Sequence, residues 1–158
     1  MLYSFAGSDG ANPDAGLVQG NDGNFYGTTY AGGANNEGTV FKITPNGALT
    51  TLYSFVAFDG QHPHADLIQG SDGNFYGTTD SGGANDAGVV FQITPSGTLT
   101  TLYSFGGNDG ELPYAGLVQG SDGNFYGTTY GGGAHDAGTV FRLGVVRPCA
   151  TCRPVSSR

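Results

Sequence analysis

The heptapeptide Gly23-Asn24-Phe25-Tyr26-Gly27-Thr28-Thr29 returns unchanged at residues 73–79 and again at 123–129. A second marker keeps the same step: Leu2-Tyr3-Ser4-Phe5 recurs as Leu52-Tyr53-Ser54-Phe55 and as Leu102-Tyr103-Ser104-Phe105. Both return at an offset of 50 residues without slippage. Self-similarity at a fixed period marks a chain built by stacking one supersecondary unit. The units fall at 2–50, 51–100 and 101–143, with a tail at 144–158.

Reading outward through the second unit resolves four strands. Ala65 to Gln69 is a short first strand, and Ser71-Asp72-Gly73 a turn, because Asp-Gly accepts the positive φ of tight hairpins. Asn74 to Thr79 is the second strand, rich in aromatic and β-branched residues. A polar loop, Asp80 to Gly88, leads to a third strand from Val89 to Thr94 and a turn at Pro95-Ser96-Gly97. Thr98 to Phe105 is the fourth, with Leu99, Thr101, Tyr103 and Phe105 alternating onto one face. No stretch has a helical period with caps, so the chain is all-β.

Four antiparallel strands per unit of about 40–50 residues is the pattern of a β-propeller blade. One such sheet cannot bury both faces alone, so neighbouring units must stack. The mid-strand glycines Gly27, Gly77 and Gly127 mark points where a ring or another sheet approaches closely. A β-solenoid and a Greek-key sandwich compete. Solenoid coils are usually shorter, and a sandwich has no reason to repeat so strictly.

Composition agrees. The chain has 30 glycines, nine tyrosines, ten phenylalanines and only 11% charged residues, unlike a disordered segment. Residues 1–141 hold thirteen acids against the single Lys42, a formal net charge of −12. That field repels phosphate backbones, so nucleic acid is not an expected partner. No apolar run approaches the roughly 20 residues needed to span a bilayer, so membrane insertion is not expected. No leader separates Met1 from the first repeat motif.

The pattern is similar to the blades of NHL-type propellers. It resembles more closely the tandem GloVer repeat of bacterial surface proteins, named for Gloeobacter and Verrucomicrobia. The likeness is carried by DGNFYGTT, by GGAN followed by G-(T/V)-V-F, by ITP-(N/S)-G and by LTTLYSF, over residues 2–142. It implies an extracellular or cell-surface protein and no established activity. Arg142-Leu143-Gly144-Val145-Val146 departs from it where the ITP turn would stand, which leaves the last outer strand without its pattern.

The chain starts on a fourth strand, Leu2 to Phe5, and the repeat stops after a third, Gly138 to Leu143. A ring usually has four to eight blades, so closure asks for further copies. Leu2, Tyr3 and Phe5 on one edge, with Val140 and Phe141 on the other, are the expected assembly residues. A homodimer of six blades is the first expectation. A trimer of nine blades and an open filament are the alternatives.

Strand connections alternate between two ends of the sheet, and ten of the thirteen acids fall at the end holding the longer loops. The units also differ there: Asn35-Asn36-Glu37, Asn85-Asp86-Ala87, His135-Asp136-Ala137. The candidate binding residues are Asp14, Tyr30, Asn36, Glu37, Asp66, Asp80, Asp86, Tyr114, Tyr130, His135 and Asp136. Carboxylates and amides can hold Ca²⁺ or sugar hydroxyls, and tyrosines can stack on sugar rings. The plainer reading is that these Asn and Asp bond their own backbone in turns. No cofactor is implied other than Ca²⁺, and His62-Pro63-His64 reads as solvated loop. Cys149 and Cys152 form one C-x₂-C, half of a structural zinc site, so a disulfide or free thiols fits better.

No G-x-S-x-G, Walker loop, H-E-x-x-H or Cys/His pairing is present, so catalysis is not expected. A non-enzymatic structural or adhesive module that self-assembles is the leading reading. A carbohydrate- or Ca²⁺-binding propeller is its alternative. A glycan-processing enzyme is the weaker third, since any acid-rich face offers carboxylate pairs.

Overall fold

The computed structural model describes residues 1–144, so Cys149 and Cys152 lie outside the described residues. It is all-β, with eleven strands in three antiparallel sheets. The first sheet runs in the order β1 (Val18–Gln19), β2 (Phe25–Thr29), β3 (Thr39–Ile43), β4 (Leu49–Ser54). The second repeats it with β5 (Ile68–Gln69), β6 (Phe75–Thr79), β7 (Val89–Ile93) and β8 (Leu99–Ser104). The third has three strands among the described residues: β9 (Val118–Gln119), β10 (Phe125–Thr129) and β11 (Thr139–Leu143).

Local chemistry sets the turns. Between β1 and β2, Gly20 N–H donates to Asn24 O at 2.8 Å and Gly23 N–H to Gly20 O at 2.9 Å. Asp22 locks the hairpin by accepting the Asn24 N–H at 3.1 Å and the Tyr26 hydroxyl at 2.8 Å. The same set recurs at Asp72 and Asp122. These DGN turns are hairpins closed by their own side chains.

Stacking sets the core. In β6 and β7, alternate residues point to opposite faces: Phe75, Val89, Phe91 and Ile93 to one, Tyr76 and Val90 to the other. The first face packs on Tyr26 and Val40 of the first sheet. The second packs on Leu117 and Phe125 of the third. Tyr26 stacks on Phe75 with ring centroids 3.9 Å apart, and Tyr76 on Phe125 at 4.1 Å. Covered on both sides, the middle sheet buries every residue of β6.

Gly77 is required by this packing. A Cβ there would lie 2.7 Å from Phe91 Cζ and 2.8 Å from Leu67 Cδ2. Gly27 and Gly127 carry the equivalent rings of Phe41 and Phe141, which is the close approach expected from the sequence.

Two expectations need correction. The first strand of each unit is only two residues long, because Ala65 to Leu67 and their equivalents run up to the ladder without joining it. Their side chains still pack: Ala65 and Leu67 are buried. The fourth strand carries a β-bulge. Val90 pairs with Tyr103 but Phe91 with Thr101, which leaves Leu102 as the extra residue. Tyr103 therefore turns to the face opposite Leu99 and Thr101, against the uniform alternation read from the sequence. β4 bulges identically at Leu52.

Leu2 to Phe5 pairs in no ladder among the described residues. It nevertheless occupies, against the first sheet, the place that Leu52 to Phe55 occupies against the second. Phe5 meets Phe41 edge-on at 5.1 Å, as Phe55 meets Phe91 at 5.2 Å and Phe105 meets Phe141 at 5.1 Å. A Cβ on Gly47 would lie 2.7 Å from Leu2 O, and one on Gly97 2.8 Å from Leu52 O.

Candidate functional site

The longer loops meet at one end of the sheets, held there by backbone bonds between units. Each unit is entered through an X-Pro-X segment: Asn12-Pro13-Asp14, His62-Pro63-His64, Leu112-Pro113-Tyr114. The residue before each proline sits at positive φ, 56°, 55° and 55° in turn. That kink lets its carbonyl accept from the end of the second strand, with Tyr30 N–H on Asn12 O at 2.8 Å and Tyr130 N–H on Leu112 O at 3.0 Å. Its own N–H reaches back to the preceding unit, His62 to Glu37 O at 2.9 Å and Leu112 to Ala87 O at 3.2 Å.

These ties assemble a row of five rings across three units. Tyr30 stacks on His62 at 4.6 Å and meets His64 edge-on at 5.8 Å. His64 meets Tyr114 at 5.7 Å, and Tyr114 meets Tyr130 at 5.8 Å. Tyr114 and Tyr130 expose ring surface, Tyr130 to 75%. A groove of about 350 Å³ runs beside them over Ala115, Thr128 and Thr129.

Acids flank the row. His62 lies with Nε2 3.6 Å from Glu37 Oε2 and Nδ1 3.9 Å from Asp80 Oδ1. Ser81 Oγ donates to Asp80 Oδ1 at 2.8 Å and faces His62 Nδ1 at 3.2 Å, so that nitrogen is the donor. The hydroxyl proton is thus committed to a carboxylate, which is not the arrangement of an activated nucleophile. Burial pushes the Asp80 carboxyl up, against the pull of the Ser81 hydrogen bond and the two imidazoles. Burial also raises the Tyr30 phenol, helped by Asp80, Tyr114 and Asp14.

The residues proposed from sequence fall into four settings. Tyr30, Asp80, Tyr114 and Tyr130 belong to the ring row or touch it, with Asp14 and Glu37 beside it. Asn36, Asp86 and Asp136 are set to their own loops: each has positive φ and accepts the N–H of Gly32, Gly82 or Gly132 at 2.9–3.2 Å. Asp66 accepts Gly16 N–H of the preceding unit at 2.5 Å. His135 is exposed, in the place where Asn35 and Asn85 hold the carbonyls of Phe55 and Phe105.

His62 and His64 were missed as members of the site. Their position in the unit was the available signal, since His64 is the counterpart of Asp14 and Tyr114. Among the described residues no group of three or more His, Cys, Asp or Glu is placed to hold a metal ion.

Three further acids, Asp9, Asp59 and Asp109, are latches. Asp59 accepts the Tyr53 hydroxyl and the Val56 N–H, and Asp9 and Asp109 repeat this with Tyr3 and Tyr103. Burial and then the hydrogen bond to Asp59 push the Tyr53 phenol up to about 12. The Tyr3 hydrogen bond, backed by the Ala6 N–H, lowers Asp9.

The Gloeobacter/Verrucomicrobia repeat matches residues 1–148. Among solved structures, a protein proposed to be a gluconolactonase superposes with a TM-score of 0.53 at 16% identity, covering 72% of this chain and 40% of its own. Virginiamycin B lyase from Staphylococcus aureus gives 0.51 at 19%, covering 84% and 41%. A streptogramin B lyase gives 0.51 at 20%, covering 85% and 41%. These likenesses show a β-propeller-like fold, and the chain spans about two-fifths of the length of each structure. A comparison with curated proteins found no match.

Proposed function

We propose a structural, self-assembling role for this chain, which belongs to the Gloeobacter/Verrucomicrobia repeat family. In this reading it is a non-enzymatic extracellular or cell-surface module that joins copies of itself into a ring or fibre. One observation carries it: Leu2 to Phe5 is seated as a fourth strand with no third strand beside it, while β11 has no fourth among the described residues. Exposed edges of this kind are templates for pairing with another chain. The latching of most acids to their own turns supports a scaffold rather than a reaction centre. Nucleic acid and membrane insertion have no part in it.

Light scattering on a sizing column tests the reading. A mass near two or three times 16.1 kDa, or a fibre, is the expected result. A compact monomer at every concentration overturns it.

The ring row favours a second reading, a sugar-binding face in which Tyr114 and Tyr130 stack on a saccharide and the exposed Asp14 accepts its hydroxyls. Ca²⁺ would take part there only as a bridge between a carboxylate and sugar hydroxyls, since no cluster of three such ligands is placed to hold it among the described residues. A glycan array read with and without EDTA decides it: silence in both conditions removes sugar binding. Intact polysaccharides and chromogenic glycosides at high protein concentration would remove the glycan-processing alternative.

A further inference from the structure

We infer that copies of this chain meet head to tail through a strand-exchanged seam of defined register, with Ser4 of a second copy opposite Thr139, its Tyr3 opposite Val140 and its Met1 opposite Phe141. The inference rests on the self-assembly reading and adds its geometry. The template is internal. β3 and β4 pair as Thr39 with Ser54, Val40 with Tyr53 and Phe41 with Thr51. β7 and β8 repeat this as Val89 with Ser104, Val90 with Tyr103 and Phe91 with Thr101. Thr139-Val140-Phe141 has the same letters as Thr39-Val40-Phe41, and Leu2-Tyr3-Ser4-Phe5 the same as Leu52-Tyr53-Ser54-Phe55. The seam therefore rebuilds the β3–β4 pair, with Leu2 as the bulged residue.

Exposure marks the surfaces that the second copy covers. Val140 is 81% exposed, whereas Val40 and Val90 are fully buried. Leu17 is 56% exposed, against 4% for Leu67 and 6% for Leu117. An apolar groove of about 550 Å³, lined by Leu17, Phe25, Phe41 and Ile43, lies open on the first sheet. It is the face onto which the third sheet of another copy would stack, Tyr126 on Phe25, as Tyr26 stacks on Phe75.

Loop bonds extend the register. Phe55 N–H donates to Gly38 O and Phe105 N–H to Gly88 O, both at 3.0 Å, so Phe5 of the second copy reaches Gly138 O. Ser54 and Ser104 accept the N–H of Ala34 and Ala84 at 3.3 and 2.8 Å, which gives Ser4 the N–H of Ala134. At the loop end the seam differs from the internal joints. Tyr130 meets Asn12 and Asp14 where Tyr30 meets His62 and His64, so the ring row stops there. The contact uses different surfaces on the two copies, so it propagates into a closed ring or a filament.

Cysteine pairing reads the register directly. The flanking bond from Phe55 to Gly38 makes Thr39 and Ser54 a non-hydrogen-bonded pair. Such pairs hold their Cα atoms about 4.5 Å apart, within the range a disulfide spans. The full chain with Cys149→Ser and Cys152→Ser is compared with and without Ser4→Cys plus Thr139→Cys. A shifted pair, Ser4→Cys with Arg142→Cys, serves as control.

The matched pair is expected to lose its monomer band on non-reducing gels, to regain it with thiol, and to yield a linked peptide joining residues 4 and 139. The shifted pair is expected to keep its monomer band. If the parent scatters as an oligomer but the matched pair does not link, the register falls while self-assembly stands. A monomeric parent removes the self-assembly reading itself. A 4–139 link within one chain shows three blades closing on themselves and overturns the two-copy seam.

Discussion

Replacing Gly77 with alanine adds one methyl group at the most crowded point of the middle sheet. The new Cβ lies 2.7 Å from Phe91 Cζ and 2.8 Å from Leu67 Cδ2, about 1 Å inside contact distance. Phe91 is fully buried and Leu67 nearly so, so neither can move without opening the joint between sheets. Overpacking of this kind costs about 1–3 kcal/mol. Alanine returns roughly 0.5–1 kcal/mol of backbone entropy relative to glycine. The net loss is about 1–2 kcal/mol, or roughly 5 °C in Tm for a chain of this size. Gly127 is the internal control. Its Cβ would lie 2.5 Å from Phe141 Cζ and 2.9 Å from Leu117 Cδ2, but the Phe141 ring, packed on Phe105 along one side, is only half-buried and can turn aside. Gly127→Ala should therefore cost less than Gly77→Ala, because a half-buried ring can shift where a fully buried one cannot. Thermal unfolding followed by circular dichroism, at one concentration low enough to keep the chain monomeric, makes the comparison. A Gly77→Ala chain as stable as the parent, or equal losses at both positions, refutes the reasoning.

Leu112 holds φ +55°, a conformation that costs a leucine roughly 1–2 kcal/mol and that Asn12 fills in the first unit. Leu112→Asn should raise the urea midpoint, since the strain relieved exceeds the half-buried surface given up. Burial, then hydrogen bonds to Asp22, Asp59 and Asp72, push the phenols of Tyr26, Tyr53 and Tyr76 up to about 12 from an ordinary 10.0. The folded chain thus holds the neutral phenol more tightly, so this stability is complete below pH 10 and fades as pH rises through 12; unfolding titrations across that window should show it, and a flat profile would contradict it. Asp80 runs the other way among carboxylates, because burial raises it and its charge is a cost at neutral pH. Asp80→Asn should stabilise at pH 7, with the gain shrinking as pH falls through the raised carboxyl range and gone below the ordinary value of 3.8, where Asp80 is neutral both folded and unfolded; paired melts above and below that window would register it.

Much of the fold was legible because its signals are local. Asp72-Gly73 and Pro95-Ser96-Gly97 ended strands by backbone preference, and Gly77 announced the ring that lies over it. The bulge at Leu102 was not legible. A run such as Leu99-Thr100-Thr101-Leu102-Tyr103, rich in β-branched and apolar residues, reads as a strand whether or not the partner skips a residue, and the skip is visible only in the pairing with Val90 and Phe91. The short first strand was hidden for a related reason, since Leu67 is apolar for its contacts with other units and not for a ladder.

The candidate site was legible by half. Tyr30, Tyr114 and Tyr130 stood out as aromatics at strand ends. His62 and His64 did not, because solitary histidines in polar loops are usually solvated. Their place in the row follows from the backbone bond between His62 and Glu37 of the preceding unit, which joins the loop after β2 to the loop after β4 and has no mark in the local sequence.

By itself, the sequence determined the repeat, the number of units, the strands and turns of each, and the end at which the acids gather. All of these follow from residue identity, period and local φ. The tertiary structure decided what each residue faces. Val40 and Val140 stand in the same tripeptide, yet one is fully buried and the other 81% exposed. The difference is the neighbouring strand and sheet that the first has and the second lacks among the described residues. Burial is a property of what packs against a residue, and three copies of one motif acquire three environments only when they are stacked.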